Sequence, residues 1–359
     1  MASIIGAGPA GSYVASLLAK KQDVELFEDH KEVGIPFQCT GITTASLEDF
    51  IKLPKEIVLT KIKRVEVYSP NKTKLEFKLK NPNPVVDRIG LDKFLANKAV
   101  DNGAKLNLNS RFIKNNKKEI TIKTNKIITK KFNYLIGADG PFSAVAKAND
   151  LFKERRFMTG YQARIKLNMD PETIEVWLGI GLFAWIVPED NKIVRIGLVC
   201  NHNIQPIPLY QKLLKIKQIK EPKTLDFQPG LIPIYNPNLQ TQRDNVFLIG
   251  DAATQVKAST LGGIIPGMRA GIKLQEAIET KQNYPKLCKD LNRDLWVNLK
   301  IYQIMNKFKE NEFNTLLHDL TKPKTKEIIE TLDRDYISKT GIKLFLSDPR
   351  LIKYFFKMI

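Results

Sequence analysis

A chain of 359 residues, 43% hydrophobic and 26% charged, is long enough to bury sizeable cores in two or three globular domains. No stretch approaches the ~20 apolar residues of a membrane-spanning helix. Three cysteines without metal-ligand spacing fit a reduced, cytoplasmic setting. The formal net charge of +19 points to an anionic partner, or reflects lysines spread along the whole chain; no nucleic-acid-binding motif accompanies it.

Ser3-Ile4-Ile5 reads as a short buried strand, Gly6-Ala7-Gly8-Pro9-Ala10-Gly11 as a glycine turn and Ser12 to Lys20 as a helix. In such a turn Gly6 permits the reversal, Gly8 lets the backbone approach a pyrophosphate, and Gly11 lets the helix pack on the strand. A second strand, Val24 to Phe27, delivers Glu28 where an acid holds a ribose hydroxyl. With the first strand opening at residue 3, no cleavable leader is expected.

Asp29 to Gly41 is a loop ending in Gly34-Ile35-Pro36-Phe37-Gln38-Cys39-Thr40-Gly41, and Thr44 to Ile51 a short helix. Strands Lys61–Tyr68 and Lys72–Leu79 form a hairpin through Ser69-Pro70-Asn71. Asn81-Pro82-Asn83-Pro84 punctuates the return to the first domain, and Arg88 precedes an amphipathic helix from Gly90 to Asn102. Lys105–Phe112 reads as one strand, Glu119–Thr124 with Lys126–Lys131 as a hairpin, and Tyr134 to Ile136 as a buried strand. This last strand runs into Gly137-Ala138-Asp139-Gly140, which either places Asp139 at a ligand crevice or makes an ordinary type I turn.

Thr159–Leu167, Glu172–Leu178, Leu182–Pro188 and Ile193–Cys200 read as four antiparallel strands that join the 61–79 hairpin in a roof domain. Period-2 alternation puts Phe183 and Trp185 on one side, as an apolar wall or as core packing. Val246 to Ile249 is again a buried strand, ending in Gly250-Asp251-Ala252-Ala253. Leu261-Gly262-Gly263-Ile264 then opens a long helix through Lys281, whose N-terminus is an anion site. A core-facing helix follows from Asp290 to Glu310, and Lys322-Pro323-Lys324 breaks the next segment. The closing run, Leu351 to Ile359, mixes basic and large apolar residues. It suits packing on the domain or an anionic membrane interface.

Three strand-end motifs in this order resemble the FAD fold of the p-hydroxybenzoate hydroxylase type. Within it, the sequence resembles the geranylgeranyl reductase family, especially the archaeal digeranylgeranylglycerophospholipid reductases. The matched stretches are Gly6 to Gly11, Pro36 to Gly41, Arg88, Gly137 to Gly140, and Gly250 to Ala253 through Ile264. A fifth is Phe183-Ala184-Trp185-Ile186-Val187-Pro188 with Gly197-Leu198-Val199, similar to the family's lipid-cavity signature. Val187 stands in place of an aromatic residue, Val199 in place of a glycine, and Leu261 in place of one glycine of a triple.

The resemblance implies an α/β fold: a Rossmann-like FAD-binding domain, an inserted antiparallel-sheet substrate domain and a helical C-terminal tail. The expected FAD domain comprises residues 1–60, 81–150 and 241–282; the substrate domain 61–80 and 151–240; the tail 283–359. It also implies that Gly6, Gly8, Ala10, Gly11, Glu28, Cys39, Gly41, Arg88, Asp139, Gly250, Asp251, Gly262, Gly263 and Ile264 bind FAD. Phe183, Trp185, Pro188 and Gly197 line the substrate site, and Cys39 serves catalysis, by proton delivery, flavin positioning or control of flavin reactivity. No metal is implied. The implied reaction saturates C=C bonds of geranylgeranyl chains by flavin hydride transfer with alkene protonation. Electrons would come from NAD(P)H or a ferredoxin, and the enzyme would be cytoplasmic with peripheral contact to anionic membrane. The same fold also hosts aromatic hydroxylases and halogenases. Halogenases carry a Trp-x-Trp-x-x-Ile-Pro run, of which Trp185-Ile186-Val187-Pro188 keeps one tryptophan.

Overall fold

The computed structural model describes residues 1–36 and 39–338. The chain begins β1 (Ala2–Ile5), α1 (Pro9–Leu18) and β2 (Val24–Phe27). After 3-10 turns at Ala45–Asp49 and Lys55–Ile57 come β3 (Val58–Tyr68), β4 (Lys74–Val86) and α2 (Arg88–Asp101). Next are β5 (Lys105–Asn107), β6 (Arg111–Asn115), β7 (Glu119–Lys123), β8 (Ile127–Lys131), β9 (Tyr134–Gly137) and α3 (Ala144–Ala148). β10 (Phe157–Lys166), β11 (Thr173–Leu178), β12 (Phe183–Pro188), β13 (Ile193–Asn201), α4 (Pro206–Ile216) and β14 (Lys223–Pro233) follow. The described chain closes with β15 (Gln242–Arg243), β16 (Val246–Leu248), α5 (Ile264–Thr280), α6 (Tyr284–Leu287), α7 (Lys289–Met305), α8 (Glu310–Leu320) and α9 (Pro323–Thr331).

The described residues fall into two compact units, one within 1–37, 88–156 and 233–296, the other within 38–87, 157–232 and 297–359. The first holds a six-stranded sheet in the order β15-β16-β9-β1-β2-β5, parallel except for β15. β1, β2 and β16 are buried throughout, the continuous apolar run expected where helices cover both faces. Lys105–Phe112 is not one strand. β5 joins the parallel sheet, Asn109 turns the chain at φ 50°, and Phe112 belongs to the three-stranded sheet β6-β7-β8.

The second unit is a seven-stranded sheet in the order β14-β10-β13-β12-β11-β3-β4. Its 193–201, 183–188 and 173–178 strands pair antiparallel as expected, but β11 pairs with β3 in parallel, and β14 and α4 were not foreseen. Asn81 to Pro84 does not leave the sheet either: these residues lie inside β4. β4 is an edge strand, where a proline's missing N–H costs no ladder bond on its open side. The helix expected over 290–310 ends at Met305, and Pro323 opens α9 at a position where its absent N–H has no intrahelical partner to lose. Leu317 of α8 packs with Leu75 and Phe77 of β4, and Ile329 of α9 lies against them. The 351–359 segment, and Phe37 and Gln38 of the Cys39 loop, lie outside the described residues. No helix among the described residues is long and apolar enough to cross a membrane.

Candidate functional site

Strands β1, β9 and β16 are neighbours, and each runs into one of the three glycine-ended motifs. Backbone bonds stitch these ends together. The Gly6 amide donates to Phe27 O (2.8 Å), Ala138 to Ile5 O (2.8 Å) and Ile249 to Gly137 O (3.0 Å). α1 leads from β1 to β2 on one side while β9 lies on the other, so β1 marks the reversal of strand order at which such sheets receive ligands.

Gly8 is the N-cap of α1, and a Cβ built on it would meet no atom within 4 Å. The protein leaves that space open beside a helix N-terminus, whose first amides have no intrahelical acceptor. Glu28 is held next to the turn: its carboxylate accepts from the Ala7 amide (2.9 Å), the His30 amide (3.1 Å) and lies 2.6 Å from His30 Nδ1. Clearance at Gly8 and a fixed carboxylate at the end of β2 fit the diphosphate and ribose of a dinucleotide. Ala10 instead faces the third motif; a Cβ on Gly250 would come within 2.9 Å of its methyl, and one on Gly11 within 2.0 Å of Gly6 O.

The two motif aspartates differ. Asp139 accepts from Ser143 Oγ (2.5 Å) and the Val145 amide (3.1 Å), so its carboxylate is engaged at the start of α3. Asp251 lies beside the N-terminus of α5, 3.1 Å from where a Gly263 Cβ would sit. Burial pushes its carboxyl up, against the pull of the Arg88 and Arg155 charges. Arg155, which no motif announced, ties the two loops together. Its guanidinium donates to the carbonyls of Phe152 (3.0 Å), Pro141 (3.1 Å), Asp251 (3.3 Å) and Ala252 (2.7 Å). Its burial lowers its pKa to about 10.

Arg88 opens α2 and forms a buried ion pair with Asp92 one turn on, through bonds of 2.8 and 3.0 Å, rather than a surface pair. Gly262, Gly263 and Ile264 stand at the N-terminus of α5. Just before them Leu261 keeps φ at +62°, the left-handed backbone for which a glycine would be the unstrained choice.

In the second unit, alternation sorts the sheet residues. Ala163, Ala184, Ile186, Ile196 and Leu198 belong to a core closed by Tyr210 and Leu213 of α4. Gln162, Arg164, Phe183, Trp185, Arg195 and Gly197 therefore lie on the opposite face, whereas Pro188 falls on the α4 side. Phe183 and Trp185 touch, with ring centroids 5.9 Å apart. Gly197 stands directly across from both Trp185 and Gln162. A Cβ there would sit 2.4 Å from Gln162 Cβ, so its absence lets the indole Nε1 reach over to Gln162 Oε1 (3.1 Å).

Cys39 and Gly41 belong to this unit. Gly41 has φ +72°, its amide donates to Cys39 Sγ (3.4 Å), and a Cβ on it would strike Arg195 Nη1 and Val86 O, both at 2.4 Å. Gln162 Nε2 donates to Cys39 O (3.0 Å) and Arg195 Nη1 to Thr40 O (2.7 Å). Gln162 and Arg195 were invisible to motif reading because the loop carbonyls they hold lie more than a hundred residues away in sequence.

Residues 4–43 match the model of the NAD(P)-binding Rossmann-like domain family. A digeranylgeranylglycerophospholipid reductase of Methanococcus vannielii is 28% identical, over 99% of this chain and 97% of its own length. A second protein of that name from Methanopyrus kandleri is 26% identical, over 98% and 97%. The chain resembles the geranylgeranyl reductases from end to end. The fold agrees. A geranylgeranyl bacteriochlorophyll reductase-like protein from Thermoplasma acidophilum superposes with a TM-score of 0.84 at 19% identity, covering 100% of this chain and 98% of that one. A flavin-dependent brominase superposes less closely, with a TM-score of 0.70.

Proposed function

We propose that this protein is an FAD-dependent reductase that saturates C=C bonds of geranylgeranyl chains in archaeal membrane-lipid precursors. The observation that carries this reading is the near-complete, two-sided sequence coverage by relatives bearing the reductase name. In this reading the diphosphate lies over Gly8 at the N-terminus of α1, Glu28 holds the adenosine ribose, and Asp251 meets the ribityl or diphosphate region. The α5 N-terminus at Gly262, Gly263 and Ile264 favours the negative charge of the reduced ring. Bound there, FAD supplies the hydride for an alkene that no carbonyl activates.

Such an alkene needs a proton at the more substituted end's partner carbon, a dry surface and tight alignment. Cys39 is assigned the thiol that holds this proton or sets its delivery. Phe183 and Trp185 are assigned the apolar wall that aligns the chain and excludes water. The electron donor is NAD(P)H or an acidic ferredoxin, the latter suited to a surface carrying net charge +19.

Peripheral contact with an anionic membrane belongs to the same reading. Ile204 just before α4, Ile207 in its first turn, and Leu225 and Phe227 on β14 are exposed apolar side chains. Exposed Lys212, Lys215, Lys220 and Lys223 accompany them in the sequence. Co-sedimentation with vesicles containing anionic lipid should weaken for Phe227→Ser; equal binding would remove this surface from the proposal.

Dithionite-reduced protein incubated without oxygen with a geranylgeranylated glycerophospholipid should add two hydrogens per double bond, read by mass spectrometry. Absence of any gain, with NADPH-dependent hydroxylation or halogenation of an aromatic in air, would transfer the protein to the monooxygenase class.

A further inference from the structure

Three consecutive carbonyls in the Cys39 loop are each held by a donor from elsewhere in the second unit. Cys39 O accepts from Gln162, Thr40 O from Arg195, and Gly41 O from the Val86 amide (2.9 Å). The first two donors are joined behind the loop by a chain of side-chain bonds. Trp185 Nε1 donates to Gln162 Oε1, and Gln162 Nε2 donates to Gln228 Oε1 (2.5 Å) as well as to Cys39. Gln228 Nε2 donates to Asp226 Oδ1 (2.7 Å), whose other oxygen accepts from Arg164 Nη1 (2.9 Å). Arg164 grips Glu189 with two bonds (2.7 and 2.8 Å), and Glu189 Oε1 also accepts from Arg195 Nε (2.6 Å). The path thus runs from the carbonyl of Cys39 to that of Thr40 without a gap.

Its polarity is fixed at one end. An indole N–H only donates and a peptide carbonyl only accepts, so Trp185 on one side dictates that Gln162 present its NH₂ to Cys39. Gln162, Gln228, Glu189 and Arg195 are buried, so the bonds at the two ends of the path carry full weight, while Asp226 and Arg164 between them are part-exposed.

We propose that Gln162 and Arg195 are positioning residues for the Cys39 thiol, held in register by the Trp185-to-Glu189 network. The proposal rests on the reading of Cys39 as the thiol that serves the alkene. Trp185 then has two ends with two tasks: its ring forms part of the lipid wall, and its N–H sets the amide that holds the thiol loop.

The test is peptide-resolved alkylation of the full-length flavoprotein by N-ethylmaleimide. Cys200 and Cys288 are buried, and burial raises both thiols, Cys288 to about 12, so they serve as internal reporters of unfolding. Gln162→Glu keeps the acceptor for Trp185 but loses the donor for Cys39; Arg195→Lys keeps the charge but loses the fork that reaches both Glu189 and Thr40. Each should change the Cys39 rate about fivefold or more, the worth of one buried hydrogen bond, with Cys200 and Cys288 unmoved. In Gln162→Glu the ratio to wild type should return toward one as the pH falls, because a protonated carboxyl donates again. A Cys39 rate equal to wild type in both variants, at every pH, overturns the proposal. If a variant exposes Cys200 or Cys288, Trp185→Phe, which removes one N–H, takes its place, and an unchanged Cys39 rate there is equally decisive. Lipid reduction is measured on the same samples. Altered labelling without reductase activity in wild type leaves the positioning role standing and removes the reductase reading; reductase activity with unaltered labelling does the reverse.

Discussion

The glycine turn at residues 6–11 and the loop at residues 39–41 are both short, glycine-bearing segments, and they are held by opposite means. The turn is bound by its own neighbourhood: strand ends joined amide to carbonyl, a helix starting at Pro9, and Ser12 Oγ donating back to Ala7 O (2.8 Å). The Cys39 loop is bound by side chains that arrive from β10 and β13. A backbone-held turn tolerates change around it so long as Gly6, at φ +98°, and Gly11, where a Cβ would lie 2.0 Å from Gly6 O, stay. A side-chain-held loop inherits every weakness of a buried polar network, in which one lost partner strands the others.

The largest expected break in that comparison is Arg195→Met. It leaves the buried Glu189 with one guanidinium instead of two and frees Thr40 O, which should cost about 3 kcal/mol in urea denaturation. Burial pushes the Glu189 carboxyl up, but the bonds and charges of Arg164 and Arg195 outweigh it and hold the group below its ordinary 4.5. A lowered carboxyl contributes stability that is complete above pH 4.5 and is lost as the pH falls through the lower folded value. In Arg195→Met the folded value rises toward 4.5, so this pH-dependent contribution should shrink and be exhausted at higher pH. Arg155→Met tests the first unit in the same way. Losing bonds to the Pro141, Asp251 and Ala252 carbonyls should cost about 2 kcal/mol, without moving Cys39 labelling.

These two arginines also mark where sequence reading stopped. β1, α1, β2 and the ends of β9 and β16 were legible because their signals are local: apolar runs of strand length, glycines at fixed offsets, an acid closing β2. Arg155 and Arg195 carry no such offset, since each binds carbonyls, and any residue supplies a carbonyl. The parallel pairing of β11 with β3 was hidden for a related reason, as alternation specifies which face a strand buries but not which neighbour it takes. Asn81 to Pro84 misled because proline is read as a breaker, a rule that edge strands escape. Leu261 shows the converse: its φ of +62° keeps a glycine's backbone where the glycine itself is gone.

Gly197→Ala sharpens the comparison inside the sheet. The added methyl would sit 2.4 Å from Gln162 Cβ and 2.7 Å from Tyr161 O, so the β10–β13 pair must shift and the Trp185–Gln162 bond lengthens. Overpacking of this kind should cost about 2 kcal/mol, read as a lower denaturation midpoint, and should raise Cys39 labelling with it. A stable protein with an unmoved Cys39 would mean that the loop does not depend on the sheet face behind it.

Gly8→Ala gives the smallest stability change and separates holding the fold from holding the cofactor. Gly8 has φ −67° and ψ −179°, a conformation open to alanine, and its Cβ direction is empty to 4 Å. The apoprotein should therefore denature within about 0.5 kcal/mol of wild type. The same methyl would occupy the space left beside the α1 N-terminus, where a diphosphate must approach the backbone closely. FAD should bind about tenfold more weakly, or about 1.4 kcal/mol, by fluorescence titration of apoprotein. Weakened folding with unaltered FAD affinity would show that the open space at Gly8 serves α1 packing and that the diphosphate lies elsewhere. The predicted opposite, intact folding with weakened FAD, would place the local, backbone-held turn in charge of binding and leave the Cys39 loop to the chemistry.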